Sequence, residues 1–328
     1  MDPGAFQDTR VLVTGGLGFL GSNLARRLVG LGAQVTLIDN LQPNQGGLRH
    51  NISGLEDRLS LEIGDLRDRA LLERLMPGQQ VIFNLAGQTS HLDSMHDPEL
   101  DLELNCRAHL VLLDAWRRLA PEARTVFAST RQLYGRPNYL PVDEAHPLRP
   151  VDINGVHKLA GETYHRLYGE VYGLGASILR LTNTYGPRMR VKDARQTFLG
   201  VWIMKVLSGQ PFDVWGGEQL RDFAYVDDTV EALLLAATHP GAMGRAFNLS
   251  GAGGPSSLLE AGRLLARLGD GSFEVRRFPE ERRRIDIGDY YADDSAFRGL
   301  TGWAPGVDLE EGLKRTLAYY REHLQEHL

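Results

Sequence analysis

The first 182 residues alternate short apolar runs with polar-faced segments of helical length. Residues 10–14, 33–39, 59–64, 80–86, 124–129 and 176–181 are the apolar runs. Each is strand-sized, and helix-length segments separate them, a pattern that predicts a parallel sheet with helices on both faces. A helix is expected to follow Gly21 and to run to about Val29, with Gly30 and Gly32 available to end it. The long helix candidates lie near 98–119 and 152–172, the second with Asp152 as N-cap and Gly173 as its stop.

Beyond Asn183 the pattern becomes irregular. Residues 226–238 read as a helix, 246–249 as a strand returning to the main sheet, and 309–323 as an amphipathic helix. The expected fold class is α/β: a Rossmann-type doubly wound parallel sheet with a smaller C-terminal substrate-binding lobe. Residues 1–182, with 226–250 returning to them, are expected to make the sheet domain, and 183–225 with 251–328 the lobe. No repeat, low-complexity stretch or flexible linker interrupts the chain.

Composition narrows the partners. The 328 residues are 42% hydrophobic and 24% charged, and the net charge of −6 gives no electrostatic reason to expect nucleic acid or a membrane surface. One cysteine, Cys106, excludes an intramolecular disulfide and a cysteine-based metal pattern, so no metal is expected. No apolar run approaches membrane-spanning length. The opening Met1-Asp-Pro-Gly-Ala-Phe lacks the charged and apolar regions of a signal peptide, which leaves the cytoplasm as the expected location.

Gly15, Gly18 and Gly21 fall between the first strand and the first helix. Glycines there let the backbone turn tightly and approach a pyrophosphate resting on the helix N-terminus, with Phe19 and Leu20 inside the same turn. A plain structural turn is the rival reading of a glycine triplet. Asp39 ends the second strand, where a carboxylate accepts hydrogen bonds from adenosine ribose hydroxyls, and Asn40 follows it. No arginine follows Asp39 to favour a ribose phosphate, so the expected cofactor is NAD rather than NADP.

Four ordered segments carry a resemblance. Pro150-Val-Asp-Ile-Asn154-Gly155-Val-His157-Lys158-Leu-Ala-Gly-Glu162 aligns without a gap with a Pro-x-x-Pro-Tyr-Gly-x-Ser-Lys-x-x-x-Glu pattern. Phe127-Ala-Ser129-Thr130-Arg131-Gln132-Leu-Tyr134-Gly135 is similar to Ser-Ser/Thr-x-x-Val-Tyr-Gly. Leu179 to Arg188 is similar to Leu-Arg-x-x-Asn-x-Tyr-Gly-Pro-Arg, and Gln219 to Asp228 to Gln-x-Arg-Asp-Phe-x-x-Val-Asp-Asp. Together they resemble the extended short-chain dehydrogenase/reductase family, the NAD-dependent nucleotide-sugar epimerases and dehydratases, over nearly the whole chain.

The resemblance implies roles. Asp65 and Leu66 after the third strand, and Leu85, Ala86 and Gly87 after the fourth, match cofactor contacts. Thr130 takes the place of the hydroxyl that binds the sugar oxygen being oxidised. Lys158 takes that of the lysine at the nicotinamide ribose. Asn154 stands where the family has its proton-exchanging tyrosine, and an amide has no accessible acid–base pKa. His157 is the nearby side chain suited to neutral proton transfer, although one residue from Lys158 turns it about 100° around the helix. A water ordered by Asn154, or a substrate already carrying a keto group, are the alternatives, and Tyr164 is expected to pack.

Arg131 and Gln132 replace the Asp-Glu pair of the 4,6-dehydratases, which argues against water elimination. Asn183, Arg188 and Arg221 match contacts to the sugar diphosphate, with Arg283 or Arg284 standing in for a second arginine. Arg195 matches the arginine that meets the sugar carboxylate in glucuronate decarboxylases. The leading expectation is a nucleotide-sugar epimerase. A lyase acting on a carboxylated sugar and a catalytically weak NAD-binding protein are the alternatives. A homodimer is expected through the two long helices, on the spacing of Leu104, Leu110, Leu113, Leu159 and Leu167.

Overall fold

The computed structural model describes residues 4–195, 197–280 and 284–328. The chain begins with β1 (Arg10–Thr14), α1 (Phe19–Gly30), β2 (Gln34–Asp39), β3 (Ser60–Ile63), α2 (Arg69–Leu75) and β4 (Val81–Asn84). It continues with α3 (His91–His96), α4 (Pro98–Leu102), a π-helical turn at Glu103–Arg107, α5 (Ala108–Leu119), β5 (Arg124–Thr130), α6 (Ile153–Tyr172) and β6 (Ala176–Leu181). The remainder holds β7 (Asn183–Tyr185), α7 (Phe198–Leu207), β8 (Phe212–Trp215), β9 (Leu220–Arg221), β10 (Phe223–Tyr225), α8 (Val226–Thr238) and β11 (Ala246–Asn248). Then come β12 (Ser256–Ser257), α9 (Leu258–Gly269), β13 (Phe273–Arg276), α10 (Ser295–Thr301) and α11 (Leu309–His323).

Seven strands form one sheet in the order β3-β2-β1-β4-β5-β6-β11, and every neighbouring pair is parallel. The fold class expected from the alternating pattern is the one observed. Side chains on a strand alternate between faces. Val11 and Val13 pack with Leu24 and Leu28 of α1 and Leu233 of α8 on one face, while Leu12 packs with Leu72 of α2 and Leu112 and Trp116 of α5 on the other. Strand order reverses between β1 and β4, where crevices open at the carboxyl ends of such sheets. Three two-stranded sheets, β7 with β10, β8 with β13 and β9 with β12, stand beyond that edge.

Helix α6 starts as its sequence predicts. Asp152 Oδ1 accepts from Gly155 N at 2.6 Å, and the left-handed Gly173 (φ 71°) ends it. The segment 98–119 differs from the single helix expected: the π turn divides it. In that turn Asn105 donates Nδ2 to Gln88 O at 3.1 Å, and its Oδ1 crowds Gly87. Gly87 has φ 151°, and a Cβ there would lie 2.5 Å from Asn105 Oδ1 and 3.3 Å from Lys158 Nζ. Such turns often mark functional sites, and this one has no glycine or proline to announce it. Among the described residues no helix is long and apolar enough to cross a membrane.

Candidate active site

A cavity of about 800 Å³ opens at the carboxyl edge of the sheet and reaches into the smaller sheets beyond it. Its first wall is backbone. Gly18 precedes α1 with no side-chain cap, and no acid stands in the first turn, so the positive end of the helix faces the cavity unneutralised. Gly15 (φ 66°) and Gly21 are dictated by packing: a Cβ on Gly21 would sit 2.1 Å from Gly15 O. Gly18, Phe19 and Leu20 line the cavity with them. Asp39 accepts from Leu17 N at 3.0 Å and Leu41 N at 2.8 Å; burial pushes its carboxyl up and those amides oppose the shift.

Asp65 is clamped by Arg67 and by Asn40 Nδ2 at 2.9 Å, and the Arg67 hydrogen bond holds it well below the usual carboxylate range. Thr14 Oγ1 accepts from Leu85 N and Ala86 N, both at 3.1 Å, and so fixes the turn after β4. Leu66, Leu85, Ala86 and Gly87 all line the cavity. An open glycine turn under a helix N-terminus, with a carboxylate ending the neighbouring strand, fits a dinucleotide.

The middle of the cavity is lined by Thr130, Asn154 and Lys158. Thr130 ends β5, and its Oγ1 accepts from Gln132 N at 3.2 Å. Lys158 is only 6% exposed, donates to Ala128 O at 3.1 Å and lies 5.0 Å from the Phe127 ring centre. Burial pulls its ammonium down to about 8. Asn154 is turned to acceptors: Nδ2 donates to Gln88 O at 2.8 Å and to Asp101 Oδ2 at 3.2 Å. Behind β5, Ser129 donates to Glu162 at 2.9 Å, Glu162 pairs with Arg180 at 2.5 Å, and Arg180 reaches Tyr134 OH at 2.6 Å. This buried network holds the strand end that carries Thr130.

The structure does not bring His157 to the cavity wall. His157 lies three residues after Asn154, so the two side chains are neighbours on α6, and both reach the buried Asp101. His157 Nδ1 is 2.6 Å from Asp101 Oδ1, and the ring is only 13% exposed. Tyr164 packs against the core layer around α5, as expected. A histidine that the sequence reading passed over does line the cavity. His91 opens α3, its side chain is 38% exposed, and its Nδ1 lies 3.0 Å from Asp152 Oδ2. The contact is close but off-axis: among the described residues Nδ1 makes no aligned hydrogen bond. Gln132 Nε2 donates to the same Asp152 oxygen at 2.7 Å. The sequence signal was a histidine after the fourth strand and an aspartate read only as a helix cap.

The far side is built from arginines and aromatic rings. Arg131 donates to Asn183 Oδ1 at 2.8 Å and stacks 5.3 Å from the Tyr290 ring centre; its Nη1 is buried without a partner among the described residues. Burial, then the neighbouring Arg221, pulls its guanidinium down to about 10. Arg221 donates to Gly288 O at 2.5 Å and to Asp286 Oδ2 at 3.1 Å. Arg195 bridges Asp93 at 2.8 Å and Asp193 at 2.7 Å. Phe198, Trp202, Trp215 and Phe278 line this end, and no motif had singled out the last three.

Two expected contacts are not brought there. Arg188 turns back under α1, donates to Asn23 Oδ1 at 2.6 Å and lies 5.2 Å from the Tyr319 ring centre. Its left-handed backbone (φ 70°) aims it away from the cavity that Asn183 lines. Arg284 is exposed and off the wall, and Arg283 lies outside the described residues. Among the described residues, His50, His323 and Glu326 place possible metal ligand atoms within 4.8 Å of one another, outside the cavity.

The profile of the NAD dependent epimerase/dehydratase family matches residues 11–250. A putative UDP-glucose 4-epimerase of Methanocaldococcus jannaschii is 32% identical over 316 residues, covering 95% of this chain and 99% of that one. UDP-glucuronic acid decarboxylase 1 of Xenopus tropicalis is 32% identical over 329 residues, covering 96% of this chain and 73% of its own length. The structure of UDP-glucose 4-epimerase from Thermus thermophilus, a complex with NAD, superposes with a TM-score of 0.85 at 31% identity, covering 95% of this chain and 99% of that one.

Proposed function

We propose that this chain, which belongs to the NAD-dependent epimerase/dehydratase family, is an epimerase that inverts a ring carbon, C4, of the hexose in a nucleotide-diphosphate sugar. One observation carries the choice of reaction. Beside Thr130, the two side chains that would have to move protons in a water elimination are an arginine bound to Asn183 and a glutamine bound to Asp152. Neither is an acid–base group at neutral pH.

Bound NAD supplies the hydride acceptor and, on return, the donor. The turn of Gly15, Gly18 and Gly21 under α1 holds its pyrophosphate, and Asp39 accepts from its adenosine ribose. Asp65, Leu66, Leu85, Ala86 and Gly87 complete that wall, and Lys158 binds the nicotinamide ribose. Thr130 hydrogen-bonds the sugar oxygen. Asn183 and Arg221 hold the diphosphate, and the aromatic end takes the base. Asn154 stands at the tyrosine position and serves as an orienting amide between Gln88 and Asp101.

Arg131 favours a second substrate. Its buried Nη1 has no partner among the described residues, and Arg195 lines the same cavity, so a carboxylated hexose is the second candidate. The test is incubation with UDP-glucose and UDP-glucuronate, read by mass spectrometry and proton NMR. A product of unchanged mass with C4 inverted supports the epimerase. Loss of water or carbon dioxide overturns it, and neither product nor cofactor reduction assigns the chain to NAD binding alone. We further propose a homodimer through α5 and α6, where Leu110 (37%), Leu167 (49%) and Val171 (59%) are exposed while Leu104 and Leu113 are buried in the core. A monomer in sedimentation at micromolar concentration would overturn it.

A further inference from the structure

We propose that His91, positioned by Asp152, is the group that exchanges the proton with the sugar hydroxyl in this chain, in the place left by the missing phenol at Asn154. The inference rests on the reading of the cavity as a nucleotide-sugar site. Asn154 has no proton to exchange at neutral pH, and its Nδ2 is committed to Gln88 and Asp101. The reaction still requires a base when the ring carbon is oxidised and an acid when it is reduced. Of the two histidines that α6 and its N-cap hold against carboxylates, only His91 lines the cavity with Thr130, Asn154 and Lys158.

The geometry assigns the nitrogens. Asp152 has a side chain with no exposed surface, and both its oxygens are spoken for: Oδ1 by Gly155 N at 2.6 Å, Oδ2 by Gln132 Nε2 at 2.7 Å with His91 Nδ1 at 3.0 Å. The carboxylate is therefore fixed, and it faces Nδ1. A carboxylate there favours the tautomer with its proton on Nδ1 and leaves Nε2 as the acceptor. The Nδ1 contact is off-axis, and catalytic hydrogen bonds of this kind tighten when substrate arrives. Asp93, two residues along α3, is paired with Arg195 at 2.8 Å and does not compete for the ring.

The step balances. The sugar C–H and O–H bonds break as C=O forms; the hydride goes to the nicotinamide dinucleotide and the proton to His91 Nε2. Asp152 stays ionised and stabilises the imidazolium. Returning hydride to the other face re-forms the C–H bond, and His91 gives the proton back to oxygen.

Two readouts test this. Diethyl pyrocarbonate labelling, followed by peptide mass spectrometry, reports access to each imidazole without needing turnover. His91 is expected to be protected by UDP-glucose and less by UDP, while the exposed His96 labels equally in both. In kinetics, His91→Gln should lose about 10²–10⁴-fold in kcat, with NAD content and calorimetric UDP-glucose affinity kept, and His91→Ala should recover part of the loss in added imidazole. His157→Gln should keep its rate. Unchanged labelling of His91 in protein that turns over UDP-glucose, or a His91→Gln rate within a few-fold of the parent, overturns the assignment. An inactive parent in which UDP-glucose protects His91 counts for this site and against the epimerase reading.

Discussion

Two histidine–carboxylate pairs flank Asn154, and they differ in what surrounds them. His157 and Asp101 are 2.6 Å apart, in aligned contact and nearly closed from solvent. His91 and Asp152 are 3.0 Å apart, off-axis, with the imidazole open to the cavity. The tighter pair is the less useful one. Asp101 satisfies His157 and Asn154 together and lies in the field of Lys158, so it neutralises a buried polar cluster. Asp152 lies against Nδ1 alone, and His91 lines the space that a ligand can fill. Hydrogen-bond quality alone therefore selects the structural pair, and access selects the candidate catalytic one.

The largest expected effect breaks the structural pair. Asp101→Leu removes the carboxylate facing buried Lys158 and should destabilise the protein by about 3–5 kcal/mol, read from denaturant midpoints. A loss confined to turnover, with stability intact, would erase the distinction between the pairs. Next, Lys158→Met should lower kcat by about 10²–10³-fold, the scale of a lost electrostatic donor, without unfolding the chain. It should also change the pH dependence of stability. Burial holds Lys158 at about 8 against an ordinary 10.5. Between those values the unfolded chain binds a proton that the folded chain does not, so this residue's contribution to stability rises with pH across that window. Equilibrium melts from pH 7 to 10.5 should show that rise in the parent and lack it in Lys158→Met.

A smaller effect belongs to the opposite wall. Asp39→Ala should weaken NAD by about 1–3 kcal/mol, measured by calorimetry, and leave UDP-glucose protection of His91 unchanged; a change there would mean that the two walls are coupled. The smallest sharpens the link between the pairs. Ser94 of α3 accepts from Asn154 N at 3.1 Å, so Ser94→Ala should cost about 1 kcal/mol in stability, and the His91 labelling rate should rise if α3 shifts.

The contrast between the pairs is also the contrast in what was legible. The glycine turn, Asp39, Thr130 and Lys158 are each fixed by a strand end or a helix start, and local spacing announces those. Arg188 was misplaced because a left-handed residue turns its side chain under α1, a backbone event that spacing along the chain does not carry. The π turn around Asn105 was invisible because no glycine or proline marks it, and the contact that Asn105 makes there, to Gln88, is 17 residues away in the chain.

The sequence by itself determined the α/β fold class and the glycine turn ahead of α1, since alternating apolar runs and glycine turns act through the nearest neighbours. Only the tertiary structure decided which histidine meets the cavity. His91 and Asp152 are 61 positions apart in the chain, and α3 packing on the start of α6 brings them together. Helix geometry sent His157, the residue next to Lys158, toward Asp101 instead. A side chain's chemistry can be read from its letter, but the direction in which it points is set by the faces that long-range packing buries.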